Sequence, residues 1–159
     1  MDRVKEKKII VSFMVIVSSL FVVTPIVWAD PIGESVQLTQ QYLKAFHEGN
    51  AEVLSAIFAK DAVYIAWAGP FPVQGRDAIR ASMAGFFRTF PIRQLFLRDE
   101  YRKAYGDTVI YNCNWTFIYG DGKNPIKTVY GRTSSANAIV EGQRLVVLMA
   151  TSLLPTGGP

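Results

Sequence analysis

From residue 108 to residue 119 the chain alternates without a break. Val109, Tyr111, Cys113, Trp115, Phe117 and Tyr119 fall on one face of an extended segment, and Asn112, Asn114 and Thr116 on the other. Successive side chains of an extended chain point to opposite faces, so this stretch is a β-strand with one side covered and one side polar. So many large apolar groups on one face need a second layer of structure to bury them. The same period continues on either side. Residues 92–105, 126–140 and 143–154 read as long strands, separated by turn signals at Gly106-Asp107, at G-D-G-K-N-P over residues 120–125, and at Glu141-Gly142. Consecutive strands joined by such short turns pair antiparallel.

Upstream the period is helical. Residues 34–48 place Leu38, Tyr42, Ala45 and Phe46 on one face, with Leu43 beside them, and Gly49 is a C-terminal stop. Asn50 caps a second, short helix over residues 51–58, with Glu52 near its positive end and Val53, Leu54, Ile57 and Phe58 as the buried stripe. Residues 61–67, D-A-V-Y-I-A-W, are rich in β-formers and read as a strand, which Gly69-Pro70 and Pro72 break into a loop or bent hairpin. A third helix over residues 76–90 carries Ile79, Met83, Phe86, Phe87 and Phe90 on one face, and Pro91 stops it. Three helices followed by a strand meander predict one α+β domain over residues 30–155, with the helices on one face of a curved antiparallel sheet and a loose tail at 156–159.

The first 29 residues have a different character. A basic start, M-D-R-V-K-E-K-K, precedes an uncharged run over residues 9–27 that Pro25 interrupts, and V-W-A at 27–29 matches a small-residue cleavage site. This is the pattern of a secretory signal peptide cut after Ala29, and it predicts an exported protein, periplasmic or secreted, from a bacterium. The alternative is an uncleaved anchor, because the uncharged run is just long enough to span a bilayer. Cleavage would remove four basic and two acidic residues and lower the formal charge from +4 to +2. That leaves no strong basic footprint for nucleic acid and no membrane partner after cleavage. The local basic stretch, Arg88, Arg93, Arg98, Arg102 and Lys103, reads as a solvated strand face.

Composition narrows the chemistry further. Half of the 159 residues are apolar and 19% are charged, which excludes intrinsic disorder. A single cysteine, Cys113, excludes a disulfide framework within the chain and reads as a buried thiol; a single histidine excludes most histidine-based metal sites. With no phosphate-binding glycine loop and no Cys/His cluster, no metal and no cofactor is expected.

The segments Q-Y-L-K-A-F-H-E-G-N-A-E-V-L (residues 41–54), I-F-A-K-D-A-V-Y (57–64), V-Q-G-R-D-A-I (73–79) and G-R-T-S-S-A (131–136) occur in this order. In that order and spacing the chain resembles the nuclear transport factor 2-like superfamily, specifically its SnoaL-like and ketosteroid-isomerase-like bacterial members. The stretch over residues 141–155 also resembles the association domain of calcium/calmodulin-dependent kinase. The resemblance covers about residues 34–155. It implies a cone-shaped, cystatin-like fold in which a curved sheet wraps helices around a pocket.

Isomerases of that group use a tyrosine on the first helix as an oxyanion donor, and Tyr42 stands at about that place. Their general base is a carboxylate near the end of the first strand, where this chain has Ala66. A second acid is implied on the third long strand, where Ser134, Ser135 and Asn137 stand instead. The epoxide-hydrolase branch implies an arginine and a carboxylate together on one strand. Arg98 and Glu100, two residues apart, are expected to share a face of the first long strand. The dehydratase branch needs a cavity histidine, and His47 is expected at the C-terminal end of the first helix instead.

The fold so implied lines its pocket with Tyr42, Phe46, Trp67, Phe71, Met83, Phe87 and Trp115. Tyr130, Arg132 and Ser134 on one strand face would supply the polar groups. The same aromatics would equally serve as a filled core. Three functions fit these residues: binding of a small apolar or aromatic molecule; an isomerase-, cyclase- or hydratase-like enzyme, with Tyr42 and Arg132 as its catalytic candidates; and a homodimeric self-association module using the outer sheet face.

Overall fold

The computed structural model describes residues 30–155; the expected signal segment 1–29 and the tail 156–159 lie outside the described residues. Helix α1 spans Pro31–Glu48. Asp30 caps it by accepting a hydrogen bond from the Gly33 amide at 2.9 Å, Pro31 opens its first turn, and Gly49 closes it in the left-handed region at φ 68°. Asn50 then caps helix α2, Ala51–Ala56, through the Val53 amide at 3.0 Å. This helix is shorter than expected. The Ile57 carbonyl accepts the Val146 amide at 2.9 Å, and that pairing draws Phe58 out of the helix and into a strand.

Strand β1 is Phe58–Ile65 and the two-residue β2 is Val73–Gln74, which pairs antiparallel with β1 and completes the bent hairpin. Helix α3, Arg76–Thr89, follows and buries Ile79, Met83 and Phe87. The long strands are β3 (Ile92–Tyr105), β4 (Thr108–Gly120), β5 (Lys127–Val140) and β6 (Gln143–Leu153).

All six strands form one sheet in the order β2-β1-β6-β5-β4-β3. The β3–β6 meander is antiparallel as expected, but β1 joins β6 in parallel. The chain leaves β1, crosses through α3 and restarts at the far edge, so the meander returns to β1 running in the same direction. Register shifts in the β1–β6, β3–β4 and β5–β6 pairs mark bulges. Bulges bend and twist a sheet, and here they accompany its wrap around the helices. The core lies between this concave face and the inner sides of α1 and α3, where Phe46, Ile79, Met83, Trp115 and Phe117 are buried in one cluster.

Arg93 fastens the layers together. Its guanidinium donates to the carbonyls of Phe46 and His47 at the end of α1 and of Phe90 and Pro91 after α3, and sits 4.7 Å from the Phe87 ring centre. Carbonyls at the end of α1 and just past the end of α3 thus share one cation. The solvated-face reading of the basic stretch fails for Arg93 and Arg102, both of which turn inward to bond helix groups.

Candidate functional site

The alternation of β4 positions the site. Tyr111, Cys113, Trp115 and Phe117 are buried on the concave side, facing the helices. Asn114 is exposed on the convex side, and Thr116 there is covered by the Arg98 guanidinium, which donates to its hydroxyl. Between the concave face and the helices lies a cavity. Molecules of water size can place their centres in about 80 Å³ of it. Its walls include Phe46, Met83, Phe86, Trp115 and Phe117, with Leu95 and Leu97 from β3. One set of polar side chains comes from α1 (Ser35, Thr39, Tyr42) and another from β5 (Thr133, Ser135, Asn137).

Of the residues singled out from sequence, Tyr42, Phe46, Trp67, Met83 and Trp115 line this cavity. Phe87 is buried behind the wall, edge-on to Phe46 at 5.5 Å between ring centres. Phe71 does not take part: it is 77% exposed in the loop between β1 and β2, where Pro70 and Pro72 keep the chain off the sheet.

The expectation for Tyr130, Arg132 and Ser134 is corrected. They share a face, but it is the convex one. Their ladder partners are Thr116, Asn114 and Asn112, Tyr130 is 53% exposed, and Ser134 donates to Asn112 Oδ1 at 2.7 Å. The inward face of β5 is Gly131, Thr133, Ser135 and Asn137. Arg132 is therefore no cavity residue. A signal for this was present in the sequence: the Trp115 indole, turned inward, needs a side chain as small as Gly131 opposite it.

The expectation that Arg98 and Glu100 share a face is also corrected. Asp99 adopts a positive φ of 51° at a bulge, and the register jumps from Arg98↔Asn114 to Tyr101↔Asn112. The extra residue turns Glu100 to the concave side, where it accepts from the Tyr111 hydroxyl at 3.0 Å and from Arg102 at 2.8 Å. Sequence reasoning missed this group entirely, because only the bulge creates it. His47 is exposed, and its Nε2 accepts from the Leu95 amide at 3.1 Å, outside the cavity.

The cavity is electrically neutral. None of its lining side chains is Asp, Glu, Lys, Arg or His. Burial, with Tyr64 and Cys113 nearby, holds the Tyr42 hydroxyl well above the usual phenol range. Burial pushes Tyr64 up to about 12, partly offset by the Thr151 hydroxyl. Burial also raises Tyr111, reinforced by Cys113 and Glu100, and raises Cys113. Losing a proton in a dry, apolar setting exposes a charge with little solvation, so these groups stay protonated and act as donors rather than bases. Asn137 is tied down: its amide donates to Ser35 Oγ at 3.1 Å and its oxygen accepts from Arg144 at 3.2 Å. The Tyr42 hydroxyl, by contrast, makes no hydrogen bond among the described residues.

Solved structures of similar shape place the fold. A nuclear transport factor 2-like protein with a cystatin-like fold from Novosphingobium aromaticivorans superposes with a TM-score of 0.66 at 19% identity, covering 80% of this chain and 84% of its own. A candidate scytalone dehydratase from the same organism gives 0.70 at 18% identity, covering 77% and 83%. A candidate aromatic ring hydroxylase, also from that organism, gives 0.70 at 20% identity, covering 79% and 89%. At these identities the likeness establishes the cystatin-like fold and nothing of the chemistry. No curated protein matches the chain in sequence. The family model of the SnoaL-like domain matches residues 39–159, so with the curved sheet, the concave pocket and the match over most of its length, the chain belongs to the SnoaL-like domain family.

Proposed function

We propose that this protein binds a small, uncharged apolar or aromatic molecule in its concave cavity and does not transform it. One observation carries the reading: the cavity is walled by aromatic and aliphatic groups, and its polar side chains are all neutral hydrogen-bonding groups with no general base among them. Abstracting a proton beside a carbonyl needs a base within hydrogen-bond reach. Ala66 supplies none, and the β5 positions facing inward are Ser135 and Asn137. The Tyr42 side chain lines the cavity and its hydroxyl has no hydrogen-bond partner among the described residues, so it is free to bond a ligand or water. The space suits a one- or two-ring molecule, given that a single water needs roughly 10–15 Å³ on the same measure.

Export to the periplasm or beyond belongs to the same proposal and rests on residues 1–29. Among the described residues no helix is long and apolar enough to cross a membrane. Self-association as a homodimer across the convex sheet face is supported by Phe96, Tyr101 and Tyr130, which stand exposed there.

Tryptophan emission tests the binding reading, since Trp67 and Trp115 both line the cavity. A panel of one- and two-ring phenols, ketones and hydrocarbons should contain members that change the emission saturably. Cys113→Phe, which fills the cavity, should abolish that change while circular dichroism stays native. No saturable response from any member would overturn the reading, and turnover of a bound member would replace it with the enzymatic one.

A further inference from the structure

The bulge at Asp99 brings a charged pair against a neutral cavity at one point. Glu100 Oε2 accepts from the Tyr111 hydroxyl at 3.0 Å and from Arg102 Nη2 at 2.8 Å. The same Arg102 nitrogen donates to Thr39 Oγ1 at 2.9 Å, and its guanidinium carbon lies 4.2 Å from the centre of the Tyr111 ring. Tyr111 and Thr39 are cavity residues; Arg102 and the 38% exposed Glu100 stand outside its lining, Glu100 reaching Tyr111 from the solvent side. The Arg102 side chain is 11% exposed, and its Nε is buried with no hydrogen-bond partner among the described residues. A buried donor left open is costly, so the arrangement that holds this arginine over Tyr111 persists against an energetic penalty.

We propose that Glu100, clamped by Arg102, sets the ligand preference of the cavity by fixing the direction of the Tyr111 hydroxyl. A phenol has one hydrogen to give and lone pairs to receive. Glu100 takes the hydrogen, and an ionised carboxylate is the strongest acceptor in reach. Tyr111 then meets the cavity as an acceptor only. Tyr42, whose hydroxyl is unspent, meets it as a donor. The ligand class that satisfies both is a neutral ring compound bearing a hydroxyl, an alcohol or phenol that donates to Tyr111. A carboxylate ligand is disfavoured by the Glu100 charge behind Tyr111. Glu100 is a positioning residue here, acting on the ligand through Tyr111, and the inference rests on the cavity being a binding site.

Matched pairs test it: a naphthol and its methyl ether, titrated into the purified protein and read by tryptophan emission. The ether keeps the rings and the oxygen but has no hydrogen to donate. The wild-type protein should bind the naphthol about tenfold more tightly than the ether, the size of one ordinary hydrogen bond. Tyr111→Phe should bind both, with the preference gone. Glu100→Gln should reduce the preference with the cavity intact, because the glutamine amide can itself donate to the Tyr111 oxygen. A merely structural role for Glu100 would weaken both compounds alike and leave their ratio unchanged. Equal affinity for the two compounds in the wild-type protein would overturn the inference while leaving the binding reading in place. No binding of either would overturn both.

Discussion

Arg144 and Glu34 meet at 2.7 Å, joining the start of β6 to the first turn of α1 across 110 positions of sequence. The Arg144 side chain is only 5% exposed, and its Nη1 donates to the Asp107 carbonyl and to Asn137 Oδ1, while Asn137 Nδ2 donates to Ser35 Oγ. The pair thus pins α1 to one end of the cavity. Removing one partner leaves a buried charge alone, which costs about 3–5 kcal/mol where both are fully buried. Glu34 is 39% exposed, so Glu34→Ala should cost less, about 2 kcal/mol, read as a lower urea midpoint. The double variant Glu34→Leu/Arg144→Met should recover part of the loss.

Arg93 closes the carbonyl ends of α1 and α3 with four donated hydrogen bonds. Arg93→Lys keeps the charge but has no fork to reach four carbonyls. Both Arg93→Lys and Arg93→Ala should lower the unfolding free energy, the alanine variant by about 2–3 kcal/mol on the scale of charge-assisted hydrogen bonds. Full stability in the lysine variant would mean that charge alone caps these helices.

Gly131 faces the Trp115 indole so closely that a β-carbon would overlap its six-membered ring. Gly131→Ala should displace Trp115, shift the tryptophan emission and cost about 1–3 kcal/mol, the usual penalty of overpacking. Emission and stability equal to wild type would show that the indole has room to move.

The tyrosines make a prediction about alkaline pH. Tyr64 titrates near 10 when unfolded and is pushed up to about 12 when folded. The folded chain therefore holds a proton that the unfolded chain releases. The associated stability is fully present below pH 10 and is lost as pH rises through about 12. Between those limits the loss is about 1.4 kcal/mol for each tenfold fall in proton concentration. Unfolding followed between pH 9 and 12 should show this decline, and Tyr64→Phe should make it shallower. A flat profile above pH 10 would contradict the burial of the phenol.

Some of this was legible one residue at a time. Gly49 and Asn50 set helix boundaries by local chemistry that needs no distant partner, whereas α1 begins at Pro31, three residues before the expected start at residue 34. The apolar side of β4 could point only inward, because Tyr111, Trp115 and Phe117 have no other way to leave water. Spacing and apolar character therefore suffice to place Phe46, Met83 and Trp115 on the cavity wall, with the resemblance supplying the pocket. Strand β5 carries no such weight of apolar groups. Its inner face is small and polar, while Tyr130 and Ile139 stand exposed on the same strand. Period two yields two faces without saying which is buried, and there only pairing with β4 decides.

The bulge at Asp99 is the same lesson within one strand. By strict alternation Arg98 and Glu100 lie together, yet one inserted residue puts Arg98 on the convex side against Thr116 and Glu100, half-exposed, on the concave side against Tyr111. No local signal in L-R-D-E-Y-R announces it, since aspartate tolerates positive φ without demanding it. The amino-acid sequence by itself determined that there are three helices, four long strands with turns between them and an apolar face on β4, because those follow from contacts a few residues apart; the end of α2 and the start of β1 wait on the distant Ile57–Val146 pairing. The tertiary structure alone decided the parallel docking of β1 on β6, the inward face of β5 and the Glu100–Tyr111 contact, because each depends on ladder register between distant segments, where a shift of one residue exchanges inside for outside.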